Sequence, residues 1–552
     1  MGQSTGRRAT PMTHRTTPLV PACHLFVHRG VPFAFDCAKL VFLKLDEVSY
    51  ALLERLQAGA TFGAALTALE KQFDPEAVER VAGDIALLRR QGLLTGPVTT
   101  YDDADYERQI GRLVKMSTNK IELYLAEACN LRCRYCYVTE NDAMHNGLMP
   151  WEVAKAAVDL VFRRGESMDS IQITFFGGEP LLNKPVMRRV IEYSQERGQA
   201  EGKKVMYSLT TNATLMDDEV IGWIKRHNFG LMVSMDGPPE VHDDNRVDVN
   251  GNGSFGRAAA NVKRLMRRRR RVTARCTVSN RHLNLYDIVT FLEDFGFTRV
   301  GLHICQGKSY RLGPYDVGPQ HRPDTERELR RMLERWLRQV KAGEELRYDP
   351  YSGTVRSVFK RERAPMLSCG VCRGCTTVGV DGNLYPCHRY VGMTHYVVGD
   401  VWTGVDETKH AHYLREYFKT KKKCETCWAV NACGGMCAWY VSHEDGYCVP
   451  PPDWRCDAIK RYIERSAWIY ETVRTECPEY FEQIVREYDE RRMISEGQPT
   501  VTRPDATRSR TSRELRRRRR ECPVHGRHPS AGPPPEKAAE PAPVELPVAA
   551  GA

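Results

Sequence analysis

A chain of 552 residues is too long for one small module and, at roughly 100–200 residues per domain, allows about three. With 41% hydrophobic and 27% charged residues, most of it can bury a core, so a wholly disordered chain is excluded. The net charge of +11 invites a nucleic-acid partner, but +5 of it sits in Val501 to Ala552, a stretch rich in Arg, Pro and Ala, and another basic block, Arg267 to Arg271, ends a predicted helix. Solvated arginines are the plainer reading of both, so nucleic acid is not the expected partner. No apolar run approaches the ~18 residues of a bilayer span, Met1 to Pro18 lacks the apolar core of a secretory signal, and Gly6 stands where a myristoylation pattern needs Ser or Thr. The expectation is a cytoplasmic chain with no membrane association.

In chain order, residues 1–19 read as disordered. The stretch from Cys23 to Asp46 mixes apolar and polar residues like short strands joined at Gly30, and three helical patterns follow, with Gly59 and Gly92 as C-caps. Residues 20–97 thus predict a winged-helix-like module, and 98–119 a linker. From Ile121 short apolar strands alternate with amphipathic helices, the pattern of a parallel sheet covered by helices. Six strands are predicted, at 121–125, 171–176, 205–211, 230–235, 272–278 and 299–304. Six β/α units over residues 120–325 suit an incomplete (β/α)6 barrel with its active groups at the strands' C-terminal ends. Residues 326–365 read as a helical bridge, with a charged helix over Arg322 to Leu346. Residues 366–460 are poor in long periodic elements, so metal rather than core is expected to organise them. A helix over 461–494 and a disordered basic tail over 495–552 complete the reading.

Nineteen cysteines without a secretory signal point to metal more than to disulfides. Three lie within Cys129 to Cys136 and ten within Cys369 to Cys456. The scattered six, Cys23, Cys37, Cys276, Cys305, Cys477 and Cys522, read as small core residues or inert thiols. Cys129, Cys133 and Cys136 form a CxxxCxxC directly after the first barrel strand. Three thiolates are one short of a closed site and leave one iron of an iron–sulfur cluster open to a non-protein ligand. The alternative is zinc completed by a distant residue such as His145.

This motif, with Tyr135 before its last cysteine, resembles the radical S-adenosylmethionine (SAM) superfamily. The resemblance implies a 4Fe-4S cluster whose open iron is chelated by SAM, and a 5′-deoxyadenosyl radical that abstracts hydrogen from a substrate. The other strand ends carry the same likeness. Gly177, Gly178, Glu179 and Pro180 resemble the GGEP motif that holds the methionine amino group. Thr211 and Asn212, then Ser234 and Arg246, resemble positions that hold the SAM ribose and carboxylate. A glycine pair at a strand end is otherwise usually a turn. Asp236 is a candidate proton acceptor near the SAM pocket; the competing reading is a strand-end Asp bonding its own loop.

Read blindly, the paired CxxC elements of the second cysteine group suggest a zinc ribbon. Behind a radical SAM core, their spacing resembles the SPASM extension with its two auxiliary 4Fe-4S clusters. By analogy Cys369, Cys375, Cys387 and Cys437 hold the first and Cys424, Cys427, Cys433 and Cys456 the second, for three clusters in all. Cys372 and Cys448 are spare, though Cys372 could displace Cys375. Sulfatase maturases typically place an aspartate after the cysteine corresponding to Cys387; here stands His388. The run Tyr385 to Gly392 instead resembles thioether-forming maturases, including those of the quinohemoprotein amine dehydrogenase subunit and of Cys-rich (SCIFF-type) peptides.

The expected function is therefore thioether crosslinking of a peptide or protein subunit, with a reductase, flavodoxin or ferredoxin as electron donor. Formylglycine formation, carbon–carbon crosslinking and epimerisation are the enzymatic alternatives. The N-terminal module resembles winged peptide-recognition domains that bind a leader by strand addition. Binding of DNA by that module would be opposed by Glu47, Glu54, Glu70, Glu76 and Glu79. The reading of another class is a zinc-binding regulator that acts on nucleic acid.

Overall fold

Three antiparallel strands begin the fold: β1 (Cys23–His28), β2 (Val31–Asp36) and β3 (Val41–Lys44), in the order β1-β2-β3. Arg29 and Gly30 turn the first hairpin with φ of 49° and 77°, the left-handed pair that matches the twist of the flanking strands. Helices Glu47–Gln57, Phe62–Leu69 and Pro75–Arg90 follow, N-capped by Asp46, Thr61 and Asp74. Gly59 and Gly92 lie just past the first and third helices at φ of 91° and 80°. The computed structural model describes residues 23–95, 102–140, 147–269, 271–344, 346, 348–365, 367, 369, 371 and 376–495. The predicted disordered segment 1–19, all but the first residue of the 495–552 tail, His145, Cys372, Cys375 and Cys522 lie outside them.

The small sheet is covered on both faces. Leu25, Ala34 and Leu43 pack with Leu52, Leu56, Leu69 and Val81 of the helices. Phe33, Phe35 and Phe42 pack instead with Trp428, Ile463 and Ala467, which come from the cysteine-rich region and from the helix Asp453–Glu476. The stretch read as a linker is not one: Asp103–Val114 is a helix whose Tyr106, Ile110, Leu113 and Val114 are buried in an aromatic core shared with the cysteine-rich region.

The central sheet contains β4 (Lys120–Ala126), β5 (Ser170–Gly177), β6 (Lys204–Thr211), β7 (Gly230–Ser234), β8 (Thr273–Val278) and β9 (Arg299–Ile304), all parallel. The predicted six strands are thus present, side by side in chain order. Two strands of the cysteine-rich region extend this sheet: β10 (Thr376–Val378) runs parallel to β4, and β11 (Leu384–Tyr385) pairs antiparallel with β10, giving the order β9-β8-β7-β6-β5-β4-β10-β11. Helices such as Trp151–Arg164 and Lys184–Ala200 supply the apolar layer over it, with Ala154, Ala157, Val158 and Val161 against Ile121, Ile171 and Ile173.

The expectation that metal alone organises the cysteine-rich region is corrected. Tyr390, Tyr396, Tyr413, Leu414, Tyr417, Phe418 and Trp439 form a buried aromatic core there, and the Tyr390 hydroxyl is joined to those of Tyr413 and Ser442 at 3.1 and 2.8 Å. Helices Arg322–Lys341 and Ser352–Lys360 fill the bridge. Where one C-terminal helix was expected there are two, Asp453–Glu476 and Pro478–Ser495, because Pro478 has no N–H to continue the first. The chain divides at Glu487, and the part that ends there carries all that follows. Among the described residues no helix is long and apolar enough to cross a membrane.

Replacing the fully buried Phe35 by alanine is expected to cost about 3–5 kcal/mol at the contact between the small sheet and the cysteine-rich region. A lowered thermal midpoint, with secondary structure unchanged at low temperature, is the readout.

Candidate active site

The loop after β4 carries the three thiols. Its short strand Leu131–Cys133 pairs antiparallel with Arg246–Asp248, so that Cys133 lies opposite Arg246. Cys129, Cys133 and Cys136 all line a cavity of about 440 Å³ at the C-terminal ends of the parallel strands. Gly177, Gly178, Thr211, Asn212, Ser234, Arg246 and Tyr135 line it too. Glu179, Pro180 and Asp236 do not; all three are buried behind it.

The glycine pair serves backbone packing. A Cβ on Gly177 would stand 2.5 Å from the Ala126 carbonyl oxygen, and one on Gly178 2.5 Å from that of Ala128. Gly178 N–H donates to Ala126 O at 2.8 Å and Glu179 N–H to Ala128 O at 3.0 Å, so β5 fastens the residues that lead into Cys129. Glu179 in turn binds the end of β6: Oε1 accepts from Thr211 Oγ1 at 2.8 Å and from Leu181 N–H, and Oε2 accepts from Asn212 N–H at 2.8 Å. Burial outweighs these donors and lifts its pKa to about 7. Asn212 Nδ2 reaches Asn130 Oδ1 at 3.0 Å and Cys129 Sγ at 3.9 Å.

Asp236 is fully buried and its oxygens are committed. Arg246 Nε and Nη2 donate to Oδ2 and Oδ1 at 2.9 and 3.0 Å, Thr277 N–H donates to Oδ1 at 2.9 Å, and the Tyr135 hydroxyl donates to Oδ2. With no oxygen facing the cavity, this carboxylate is an anchor for Arg246 and Tyr135, in contrast to the proton acceptor expected from sequence. The competing reading fares better, since Arg246 lies ten residues on in the same connection after β7. Arg246 accordingly spends two of its three nitrogens on Asp236, and its Nη1 points to Cys133 Sγ at 3.9 Å.

The chemistry of the donors fits an iron–sulfur cluster. Cys129, Cys133 and Cys136 are within electrostatic reach of one another. Leu131 N–H, Asn212 Nδ2 and Arg246 Nη1 reach the sulfurs of Cys129 and Cys133, the kind of contact that tunes a thiolate-bound cluster. Burial lifts the free Cys133 thiol to about 12 and Cys129 higher, so these groups become thiolates only when metal replaces the proton. Among the described residues no three Cys, His, Asp or Glu side chains converge as they would on a single ion. The corners of a cubane cluster need no such convergence.

In the cysteine-rich region, Cys424, Cys427, Cys433 and Cys456 each lie within electrostatic reach of the other three. Beside them Lys421 is buried, donating to the Gly434 carbonyl and the Tyr417 hydroxyl at 2.9 Å each; burial lowers its pKa to about 8 against the pull of Cys424 and Cys433. A buried ammonium whose anionic neighbours are thiol sulfurs suits a site that carries negative charge when loaded. Cys387 and Cys437 are likewise within reach of each other, whereas Cys369 is exposed and Cys375 lies outside the described residues.

Arg275, His303 and Lys308 had no signal in the sequence, whereas His388 and Arg389 lie in the run after Cys387 that it singled out. Arg275 is paired in register with Ser234, and His303, Lys308, His388 and Arg389 complete the wall. His388 Nδ1 lies 3.0 Å from Glu122 Oε1 and its ring stacks on Phe176 at 4.2 Å. Burial alone would lower its pKa, but Cys387 and Glu122 prevail and raise it to about 10. Burial, helped by Arg389 and Arg275, lowers His303 to about 3, and Arg389 Nη2 donates to its Nε2 at 2.8 Å. Cys305, read as an inert thiol, also lines the cavity, with its sulfur 3.2 Å from Asp316 Oδ1. Cys23, Cys37, Cys276 and Cys477 are buried, as that reading expected.

A parallel sheet bearing three thiols at the mouth of its first strand is the setting of a radical SAM domain, and residues 123–294 match the radical SAM superfamily. The chain is an S-adenosylmethionine-dependent enzyme with homology to anaerobic sulfatase-maturating enzymes. It is 25% identical over 331 residues to the cysteine-type anaerobic sulfatase-maturating enzyme of Clostridium perfringens (strain 13 / Type A), covering 56% of this chain and 86% of that protein. Identity to the radical SAM cyclopropyl synthase TigE of Paramaledivibacter caminithermalis is 21% over 385 residues, 66% of this chain and 78% of that one. The fold also matches the solved structure of native anSMEcpe with bound AdoMet and Cp18Cys peptide, at a TM-score of 0.54 and 20% identity, covering 66% of this chain and 99% of that one.

Two outcomes are expected. Asp236→Ala, which strands Arg246 as an unpaired buried charge, should cost about 3–5 kcal/mol and reduce iron retained after reconstitution. His303 should not titrate between pH 4 and 8 in ¹⁵N-histidine spectra. The unfolded chain takes up that proton near 6.5 and the folded chain does not, so this group subtracts stability as pH falls below about 6.5.

Proposed function

We propose that the protein is a radical SAM/SPASM maturase that installs a thioether crosslink in a ribosomally made peptide or protein subunit. The observation that carries this reading is that one cavity takes its thiols from the loop after β4 and another part of its wall, His388, Arg389 and Trp439, from the cysteine-rich region. Cys129, Cys133 and Cys136 would hold the SAM-binding 4Fe-4S cluster. Cys369, Cys375, Cys387 and Cys437 would hold a first auxiliary cluster, and Cys424, Cys427, Cys433 and Cys456 a second. Gly177, Gly178, Thr211, Asn212 and Ser234 would line the SAM site, with Arg275 beside Ser234 as the guanidinium for the SAM carboxylate, since Arg246 is held by Asp236.

When bound and reduced by a reductase, flavodoxin or ferredoxin, these cofactors supply a 5′-deoxyadenosyl radical. The chain's own groups exclude water, fix SAM against the strand ends and present the peptide. The reaction balances as one C–H and one S–H bond replaced by one C–S bond: one hydrogen would leave as an atom to the 5′-deoxyadenosyl radical, giving 5′-deoxyadenosine, the other as a proton, and the remaining electron would pass to an auxiliary cluster. In the N-terminal module, β3 pairs among the described residues with β2 alone, and its other edge would take the leader peptide by strand addition. The reading implies a cytoplasmic enzyme.

The names of the sulfatase-maturating relatives favour formylglycine formation as a second reading. His388, bound to Glu122 where such maturases carry an aspartate, supports the thioether.

The test is anaerobic measurement of iron, sulfide and zinc per chain, with SAM cleavage under dithionite. About twelve irons are expected in wild type, falling to about eight with SAM cleavage lost in the Cys129→Ala/Cys133→Ala/Cys136→Ala variant. Stoichiometric zinc without deoxyadenosine would sink the enzyme. With a peptide from a neighbouring reading frame, loss of two hydrogens together with loss of one alkylatable cysteine thiol, sulfur retained, marks a thioether, whereas an aldehyde that reacts with a hydrazide marks formylglycine.

A further inference from the structure

Three cations line the cavity without a carboxylate partner among the described residues: Arg275, Lys308 and Arg389. Arg275 stands beside Ser234 and is assigned above to SAM. Arg389 is within electrostatic reach of both Arg275 and Lys308. Lys308 follows β9, the edge strand four places from β5 and its Gly177–Gly178 end.

Lys308 is 7% exposed, and its Nζ has no hydrogen-bond partner. It stands 3.1 Å from the centroid of the Trp439 ring, which offers a π face but no charge. The nearby Glu444 is taken by Arg311 at 2.8 Å and by the Tyr310 hydroxyl at 3.2 Å. The backbone on either side is pinned, since Gly307 O accepts from Arg455 Nη2 and Ser309 N–H donates to Tyr440 O at 2.6 Å. The ammonium is therefore fixed at the cavity wall, away from bulk solvent. Arg389 donates to His303, a neutral acceptor, lies over the rings of Tyr137 and Tyr440 at 5.4 Å each, and has no carboxylate partner among the described residues. Buried charge without a counter-charge is costly unless a ligand brings one.

We propose that Lys308 and Arg389 form a subsite for a carboxylate of the substrate peptide, on the β9 side of the cavity. The inference rests on the peptide-modifying reading above and narrows it: the segment entering the cavity carries an acidic side chain beside the reacting residue or ends there in a free α-carboxylate. Lys308 is the anchor, and Arg389 supplies the second charge.

The test uses the reconstituted full chain with SAM bound, without oxygen, and ligand-observed saturation-transfer NMR. The probes are N-acetyl-aspartate and N-acetyl-glutamate methylamides for a side-chain carboxylate, N-acetyl-alanine for a terminal one, and N-acetyl-asparagine methylamide as the neutral isostere. At least one acid should bind about tenfold or more tightly than the isostere, and which acid wins identifies the source. Lys308→Met should abolish that preference and Lys308→Arg should keep it, with iron content matching wild type in both. If Lys308→Met loses iron, Lys308→Gln decides by the same criterion. Equal binding of acids and isostere in wild type, or a preference that survives both neutral variants, overturns the subsite. SAM cleavage is measured on the same samples. Cleavage without acid preference sinks the subsite and leaves the radical reading, whereas acid preference without cleavage does the reverse.

Discussion

The ion pair of Asp236 and Arg246 is the interaction on which the mouth of the sheet depends. A carboxylate with no exposure and a guanidinium with 8% can be buried together only if nearly every polar atom finds a partner. Four donors from three places meet that condition: Tyr135 of the thiol loop, two nitrogens of Arg246, and Thr277 of β8. The loop that carries Cys133 and Cys136 is thereby bolted to the far strands of the sheet. The third guanidinium nitrogen is left toward Cys133, so the pair also presents positive charge to sulfur. Glu179 does the equivalent work on the near side, where three donors from two segments tie β5 to β6 behind Cys129.

The second wall of the cavity is set by strand pairing. Because β10 runs parallel to β4, the chain a few residues later is delivered beside the thiol loop, and Glu122 of β4 receives both Thr377 Oγ1 and the His388 ring. His388 and Arg389 therefore reach the cavity through the backbone ladder of the central sheet. Repulsion among Arg275, Arg389 and His303 is limited by keeping the imidazole neutral, and only a neutral ring can accept from Arg389.

The six parallel strands were legible because each is a short apolar run followed by a helix of clear period, and the motifs fall where such runs end. The strands β10 and β11, of three and two residues, are too short to show any period; Tyr413, Leu414, Tyr417 and Phe418 do recur at helical spacing in the helix Glu407–Lys419, but Tyr390 and Tyr396 follow no period. The helix Asp103–Val114 did leave a trace, since Tyr106, Ile110, Leu113 and Val114 recur at helical spacing behind a capping box of Asp102 and Asp105. At the site, the cysteines and glycines announce themselves by type and spacing. Carboxylates do not: sequence places Glu179 and Asp236 at strand ends but is silent on whether they face the cavity or the scaffold. Lys308 and Arg275 had no local pattern at all, because what distinguishes them is the absence of a partner in three dimensions.

The cysteine-rich loop owes its shape to ordinary protein contacts. Between Cys427 and Cys433 the chain is held by Trp428 stacked on His24 at 3.8 Å, by Asn431 Nδ2 donating to Cys37 O at 2.9 Å, and by Ala364 N–H donating to Asn431 O at 2.8 Å. Two of these three contacts come from the N-terminal module. Burial pushes the thiols of Cys424, Cys433 and Cys456 up, so metal binding must displace their protons. The small sheet at the start of the chain is thus part of the scaffold of the cysteine cluster as well as a surface for a peptide, and a perturbation of one is transmitted to the other through packed side chains.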